Sequence, residues 1–598
     1  MTTSLPARKD VDPQLTWDLD ALFANQADFN RAIETVKELA SDFSRIYQHQ
    51  LKEIPVIIDA LRDYANIQAI LDRIEHFAFL PQAADTTDSE ASARLNQVMD
   101  LEAVIGGELS FLDSDLQQLP DDTLKAVSKH APEFASFLRH ILTAKAHALD
   151  PAVEKALTQL SPTLNRFTQI RDQTIFGDMD FGEFTAHGKT YPLSFVLYEE
   201  EYQKHPDTEI RRAAYAQFNK TLRRYQSTMA ATYYAQVSKE KTLATMRGYD
   251  SVIDYLLEEQ EVPRALFDRQ IDLIMSDLAP IMRRYVTYIK EQRGLDHIGY
   301  TDLQIDLDPD FAPEVTLASA QQTVSDTVTY LGEDYQKLIM RAFPERWVDF
   351  AQNEGKDSGA FATKPYGVHP YIMMSWSDTL PSLYTLIHEL GHTGQMTLSE
   401  ADNSVLGDMP STYIVESPST FNELLLTHHL VETATDPEMK QFARSRLLSD
   451  TYFHNFVTHL LEAAFQREVY RLIDNGESFD AAKLNQIKRK VLTDFWGDAV
   501  ELEEGAELTW MRQSHYYMGL YSYTYSAGLT IATQAYLRTL KEGQPAINDW
   551  LQYLALGDQL EPIAAAKIAG VDITTDQPLK NTIAFLGETL DQIIEKKD

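Results

Sequence analysis

The sequence predicts a mostly α-helical protein with one small β element placed ahead of its most informative helix. Three observations carry that prediction. Glycine and proline number only 24 each in 598 residues, so long stretches run without a breaker. Apolar residues recur at spacings of three and four in Leu124–His130, in Phe267–Met275 and in the run from Leu447 to Ala464. Asp-Pro and Ser-Pro pairs at Asp12-Pro13, Asp150-Pro151, Ser161-Pro162, Asp308-Pro309 and Asp436-Pro437 mark turns and helix starts between such runs.

Two segments depart from the helical pattern. Phe176–Tyr191 packs three glycines and four aromatics into a short span and is expected to form a hairpin or irregular structure. Tyr366–Trp376 reads as a strand. Pro370 has no N–H to give to a ladder, so the strand should begin there or lie on a sheet edge. No fixed-period repeat is present, which argues against a solenoid. The expected division is an N-terminal helical region over 1–115, a helical lobe with the irregular or hairpin segment over 116–204, and a chemical domain over 205–598.

Lys and Arg total 53 against 90 Asp and Glu, a net charge of −37. Such a field repels phosphate backbones and anionic lipid, so neither nucleic acid nor a membrane is expected as a partner. No stretch of 18 apolar residues occurs. Met1–Asp10 has a basic pair but no apolar core behind it, unlike a secretory signal. Cysteine is absent, which excludes disulfides, thiolate zinc sites and cysteine nucleophiles and suits a reducing compartment. A cytoplasmic location is therefore expected, with no feature that sets an oligomeric state.

Pro381–His392 contains His-Glu-x-x-His. Leu383, Leu386, Ile387 and Leu390 fall at i, i+3, i+4 and i+7, which predicts an amphipathic helix with this stripe toward a core. His388 and His392 are four apart and project from nearly the same side, one turn apart, as two ligands of one tetrahedral zinc must. Glu389 lies beside that side and can reach solvent at the ion without binding it. A hydrolytic zinc also needs a third protein ligand and an open position. The metzincin extension is excluded, because Gln395 and Leu398 stand where its glycine and third histidine would be. A carboxylate from a following helix is expected instead. Glu416 is the best candidate: the interval from His392 leaves room for a loop and a helix returning alongside. Glu423, two turns further on, could accept a hydrogen bond from the other nitrogen of a ligand histidine. Pro418 between them requires the helix to begin nearby or to kink.

Near the C-terminus, positions 516–525 hold five tyrosines directly after His515. Amide hydrolysis builds negative charge on the carbonyl oxygen, and phenol and imidazole donors aimed at it stabilise that charge. Tyr521 and Tyr525 should share a helix face. Tyr516, Tyr517 and Tyr523 could equally be core residues. His428 and His429 are adjacent and cannot form an i, i+4 clamp. His454 and His459 read as structural.

His388-Glu-Leu-Gly-His392 followed by Glu416-Ser-Pro-Ser419 resembles the thimet and neurolysin-like zinc oligopeptidases, most closely their bacterial oligoendopeptidase F branch. Trp17–Phe23, Arg247–Ser251 and His369–Ile372 running on to Trp376 also look like passages of that family, so the likeness covers most of the chain. It implies zinc held by His388, His392 and Glu416, Glu389 as general base, Glu423 behind a ligand, and His515 with Tyr521 or Tyr525 as donors to the oxyanion. Thimet-like members carry a further tyrosine about a turn beyond Tyr525, where this chain has Gly528, so the choice between these two stays open. The family fold implied is a two-lobed helical body around a deep channel, and the implied substrates are short unfolded peptides cut internally. The strand from His369 through Tyr371 and Met373 is expected to offer backbone hydrogen bonds to an extended peptide. Two alternatives are a helical zinc carboxypeptidase and a non-catalytic peptide binder that kept the metal helix.

Overall fold

The computed structural model describes residues 5–309, 311–357 and 359–595. Met1–Ser4, the start of the segment read as lacking a secretory signal, lies outside the described residues. The chain is mostly helical, and among the described residues five short strands form two sheets. β1 (Glu183–Ala186) and β2 (Lys189–Pro192) pair as an antiparallel hairpin within the glycine- and aromatic-rich span, as expected. β3 (Val348–Asp349), β4 (Phe361–Thr363) and β5 (Tyr371–Met373) form the second sheet, ahead of the helix Leu380–Glu400.

Two large apolar cores define two lobes. One joins residues from Phe29 to Ile141, including Leu116, Val127 and Leu138, and thus runs continuously across position 115. Its first helix, Gln26–Tyr47, starts where Asn25 accepts from the N–H groups of Ala27 and Asp28. That helix buries Phe29, Ile33, Val36, Ala40 and Phe43 at spacings of three and four. The other core draws on residues from Ile175 to Ile593. A small third cluster seats Trp17, Leu22 and Leu80 against Tyr371 and Met373, so the N-terminal segment is strapped onto the second sheet. Between the lobes, Arg139 pairs with Glu261 and Asp558, and His140 hydrogen-bonds Asp558.

One expectation about substrate binding is corrected here. The sheet order is β3-β5-β4, so β5 is the central strand, parallel to β3 and antiparallel to β4. It begins directly after Pro370, which satisfies the proline rule without placing it on an edge. Ile372 and Met374 donate their N–H groups to Trp347 and Asp349, while Phe361, Ala362 and Thr363 lie opposite Met373, Ile372 and Tyr371. Both sides of the ladder are taken. Tyr371 and Met373 are buried, Tyr371 donates its hydroxyl to the Asp18 carbonyl, and His369 accommodates itself against Trp347. Tyr371 and Met373 therefore build the sheet, with His369 just ahead of it, and the strand has no free edge for a peptide.

Three helices meet at the motifs named above, and two glycines permit the approach. Leu380–Glu400 begins at Thr379, whose hydroxyl accepts from Ser382, with Pro381 in the first turn. Leu383, Leu386, Ile387 and Leu390 are all buried, as the spacing predicts. A side chain at Gly391 would collide with the Pro418 carbonyl at 2.5 Å, so only glycine admits the helix Ser417–Thr433 this close. Gly528 plays the same part for the helix Ser522–Glu542, where a Cβ would lie 2.8 Å from the backbone carbon of Glu416.

Candidate zinc centre and active site

Glu416 occupies the N-cap position of Ser417–Thr433, and Pro418 sits in that helix's first turn, where its missing N–H costs nothing. The helix thus begins at the proline motif rather than bending there. Asn422 ties it to the metal-motif helix by donating to the Ile387 carbonyl at 3.2 Å. This placement brings the Glu416 carboxylate between the two imidazoles. Glu416 Oε2 lies 3.5 Å from His388 Nε2 and 3.5 Å from His392 Nε2.

Those separations test the fit of zinc. Donors about 2.0–2.2 Å from a tetrahedral ion stand about 3.3–3.5 Å from one another. Each imidazole nitrogen stands at that spacing from the carboxylate oxygen, and the three atoms fall within one 4.8 Å group. The side chains of His388 and His392 retain 25% and 12% exposure, so an ion held there would be reachable from outside. Two nitrogens and one oxygen with an accessible fourth direction suit a catalytic zinc.

The electrostatics agree. Burial pushes the His388 imidazole down, but its hydrogen bond to Glu423 and the charges of Glu423, Glu389 and Glu416 outweigh this and raise it to about 10. Burial raises the Glu416 carboxyl, yet His392 and His388 prevail and hold it at about 2. The pocket therefore favours a cation at the point where these groups converge. Glu423 Oε1 lies 2.6 Å from His388 Nδ1, which leaves Nε2 directed at Glu416. Thr451 donates to the other Glu423 oxygen. Glu389 is buried beside the pair without entering the donor group. Burial raises its carboxyl above the ordinary value, the two histidines oppose that, and Glu416 and Glu423 reinforce it.

His515, Tyr521 and Tyr525 lie together on the adjoining side. The His515 and Tyr521 rings stack with centroids 5.6 Å apart, and Tyr521 and Tyr525 meet edge to face at 5.4 Å. Tyr521 donates its hydroxyl toward Glu416 Oε1 at 3.4 Å, and the Tyr525 hydroxyl lies 3.4 Å from His515 Nε2. Tyr516 and Tyr523 are buried core residues. Gly528 stands where it must to admit the Glu416 backbone, which gives a physical reason for that departure from the thimet pattern.

The region also holds a cluster that the sequence pattern did not bring together. His459, Glu462 and His515 form a second compact group, with His454 against it. The segment Leu447–Thr458 is a π-helix rather than an α-helix. Residues five apart therefore come into line, and the His454 and His459 rings sit 4.2 Å apart. An α-helical reading turns them away from each other.

The family model described as peptidase family M3 matches residues 201–585, and that described as oligopeptidase F matches residues 115–181. Oligopeptidase PepF of Bacillus subtilis is 27% identical, covering 99% of this chain and 88% of its own. An oligoendopeptidase F homolog of Borreliella burgdorferi is 23% identical over 98% of this chain and 99% of its own. Among solved structures, a chain from Chlamydophila abortus superposes with a TM-score of 0.85 at 21% identity, covering 99% of this chain and 100% of that one. Oligoendopeptidase-F from Enterococcus faecium does so with a TM-score of 0.74 at 19% identity, covering 95% and 99%. These two likenesses bear on the fold, which is that of a two-lobed helical peptidase. The chain belongs to peptidase family M3, in its oligoendopeptidase F branch, and is a zinc-dependent endopeptidase acting on peptides.

Proposed function

We propose that His388, His392 and Glu416 hold the zinc, that Glu389 is the general base, and that His515 with Tyr521 and Tyr525 supplies donors to the reacting carbonyl oxygen. The observation that carries this reading is the approach of both imidazole Nε2 atoms to one oxygen of Glu416 at 3.5 Å. When bound, zinc supplies a Lewis acid that polarises a carbonyl and makes a solvent molecule nucleophilic near neutral pH. Glu389 takes a proton from the attacking solvent and returns it to the leaving amine, a task that suits a carboxyl raised by burial. Glu423 keeps the His388 ring turned toward the ligand group.

The substrates are short unfolded peptides admitted between the lobes. Within the second sheet, β4 is the half-buried outer strand and the one whose backbone could meet an extended peptide. No helix among the described residues is long and apolar enough to cross a membrane. The cysteine-free composition supports a cytoplasmic site of action.

Glu389→Gln tests the assignment. The variant should keep its zinc while kcat on a fluorogenic peptide falls by about 10²–10⁴-fold. Turnover within a few-fold of the parent would remove Glu389 from this role. A folded globular protein offered beside the peptide should remain intact, and its efficient cleavage would count against admission between lobes.

A further inference from the structure

The group His459, Glu462 and His515 has the residue types of a metal site, but its distances describe something else. One oxygen, Glu462 Oε2, lies 2.9 Å from His459 Nδ1, 3.2 Å from His515 Nδ1 and 3.0 Å from Ser522 Oγ. Separate donors around zinc would stand about 3.3–3.5 Å from one another. Here three groups crowd one carboxylate oxygen at hydrogen-bond lengths. Glu462 is 2% exposed and held well below the usual carboxylate range, because its two histidine neighbours outweigh the effect of burial. An ionised carboxylate only accepts, so every partner on Oε2 must donate.

Proton positions follow from that constraint. His459 is 2% exposed and pushed down by burial, with Glu462 opposing. Its Nδ1 donates to Glu462, and its Nε2 shares a hydrogen bond with His454 Nε2 at 2.9 Å. For His515, Nδ1 likewise carries a proton aimed at Glu462. Its Nε2 lies 3.4 Å from the Tyr525 hydroxyl.

The geometry points to Glu462 as the positioning residue of the reaction: its carboxylate fixes a proton on His515 Nδ1 and with it the orientation of the ring whose Nε2 faces the Tyr525 hydroxyl and the substrate oxygen. This rests on the reading of His515 as a substrate-facing donor. The rest of the surroundings suit such a role. The Tyr521 and Tyr525 rings pack against His515 and fix its plane. The other Glu462 oxygen is buried without a hydrogen-bond partner among the described residues, and Glu462 lines a cavity of about 70 Å³ with Lys488, Tyr300 and Arg512. Lys488 is buried and lies 3.5 Å from the Tyr516 hydroxyl.

A double-mutant cycle on the zinc-loaded full chain, read with a fluorogenic peptide, tests this. Glu462→Gln should lower kcat by about 10–100-fold, as loss of a histidine's orienting partner does elsewhere. KM should change less than about twofold, and zinc content should not change. In the His515→Ala background the same substitution should cost less than about twofold, because the group it positions is gone. An equal cost in both backgrounds would overturn the assignment of Glu462 while leaving His515 in place. A His515→Ala variant with unchanged kcat would overturn the donor reading itself, and the inference with it. Should Glu462→Gln fail to fold, ¹⁵N-histidine spectra of the parent decide, with the His515 signal identified by its loss in His515→Ala. A proton on Nδ1 is expected. A bare Nδ1 would overturn the proposal.

Discussion

Two groups of histidine and glutamate face each other across Tyr521 and Tyr525, and they differ in what their distances allow. In the first, His388 and His392 approach one oxygen of Glu416 at 3.5 Å each, too long for strong hydrogen bonds and suited to a shared ion. In the second, His459 and His515 approach one oxygen of Glu462 at 2.9 and 3.2 Å, and the contacts are complete as they stand. Residue type alone would have made both of them metal sites. The first group also spends the remaining nitrogen of His388 on Glu423, so its ligand nitrogen is free for the ion. The second spends the Nδ1 atoms themselves on the carboxylate. A third acid–histidine group, His140 with Glu261 and Asp558, already contains the Arg139 guanidinium and serves as a clasp between the lobes.

The contrast can be broken most forcefully at Glu416. Glu416→Ala should weaken zinc by more than about a hundredfold, since it removes a direct ligand where loss of a mere supporting contact costs about 10–100-fold. Dialysis against a graded chelator series, read by metal analysis, checks this. Glu462→Gln measured alongside should match the parent. Comparable zinc loss in the two variants would erase the distinction between the groups. Glu423→Ala comes next, with zinc affinity reduced about 10–100-fold, because His388 loses the partner that orients it. Affinity equal to the parent would show that the ring needs no such support. The smallest effect belongs to Thr451→Val, which removes one donor from Glu423. A hydrogen bond to a charged group is worth about 1.5–3 kcal/mol, and only part of it is passed through Glu423 and His388 to the ion, so zinc affinity should fall by about two- to tenfold. A larger loss than that of Glu423→Ala would reverse the order of support proposed here.

The first group was legible in the sequence and the second was not, for a definite reason. His388 and His392 lie on an ordinary α-helix, where a spacing of four predicts a shared face, and the apolar stripe around them is buried as expected. Glu416 and Glu423 could be placed because a helix follows the loop, although Pro418 proved to mark its first turn. His454 and His459 sit where a π-helix passes into an α-helix, and periodicity based on 3.6 residues per turn misplaces such pairs. Glu462 carries no signal beyond standing three residues after His459. The strand after Pro370 was recognised as a strand, but pairing on both sides depends on Val348–Asp349 and Phe361–Thr363, short segments with no alternating pattern of their own. The close approaches at Gly391 and Gly528 are likewise tertiary facts, invisible until the helices are packed.

Diffraction from crystals of the zinc-loaded protein, recorded on both sides of the zinc absorption edge, tests the central claim most directly. We predict one anomalous peak per chain, within about 2.0–2.2 Å of His388 Nε2, His392 Nε2 and Glu416 Oε2. A peak seated instead among His459, Glu462 and His515, or one that Glu416 does not touch, would contradict it.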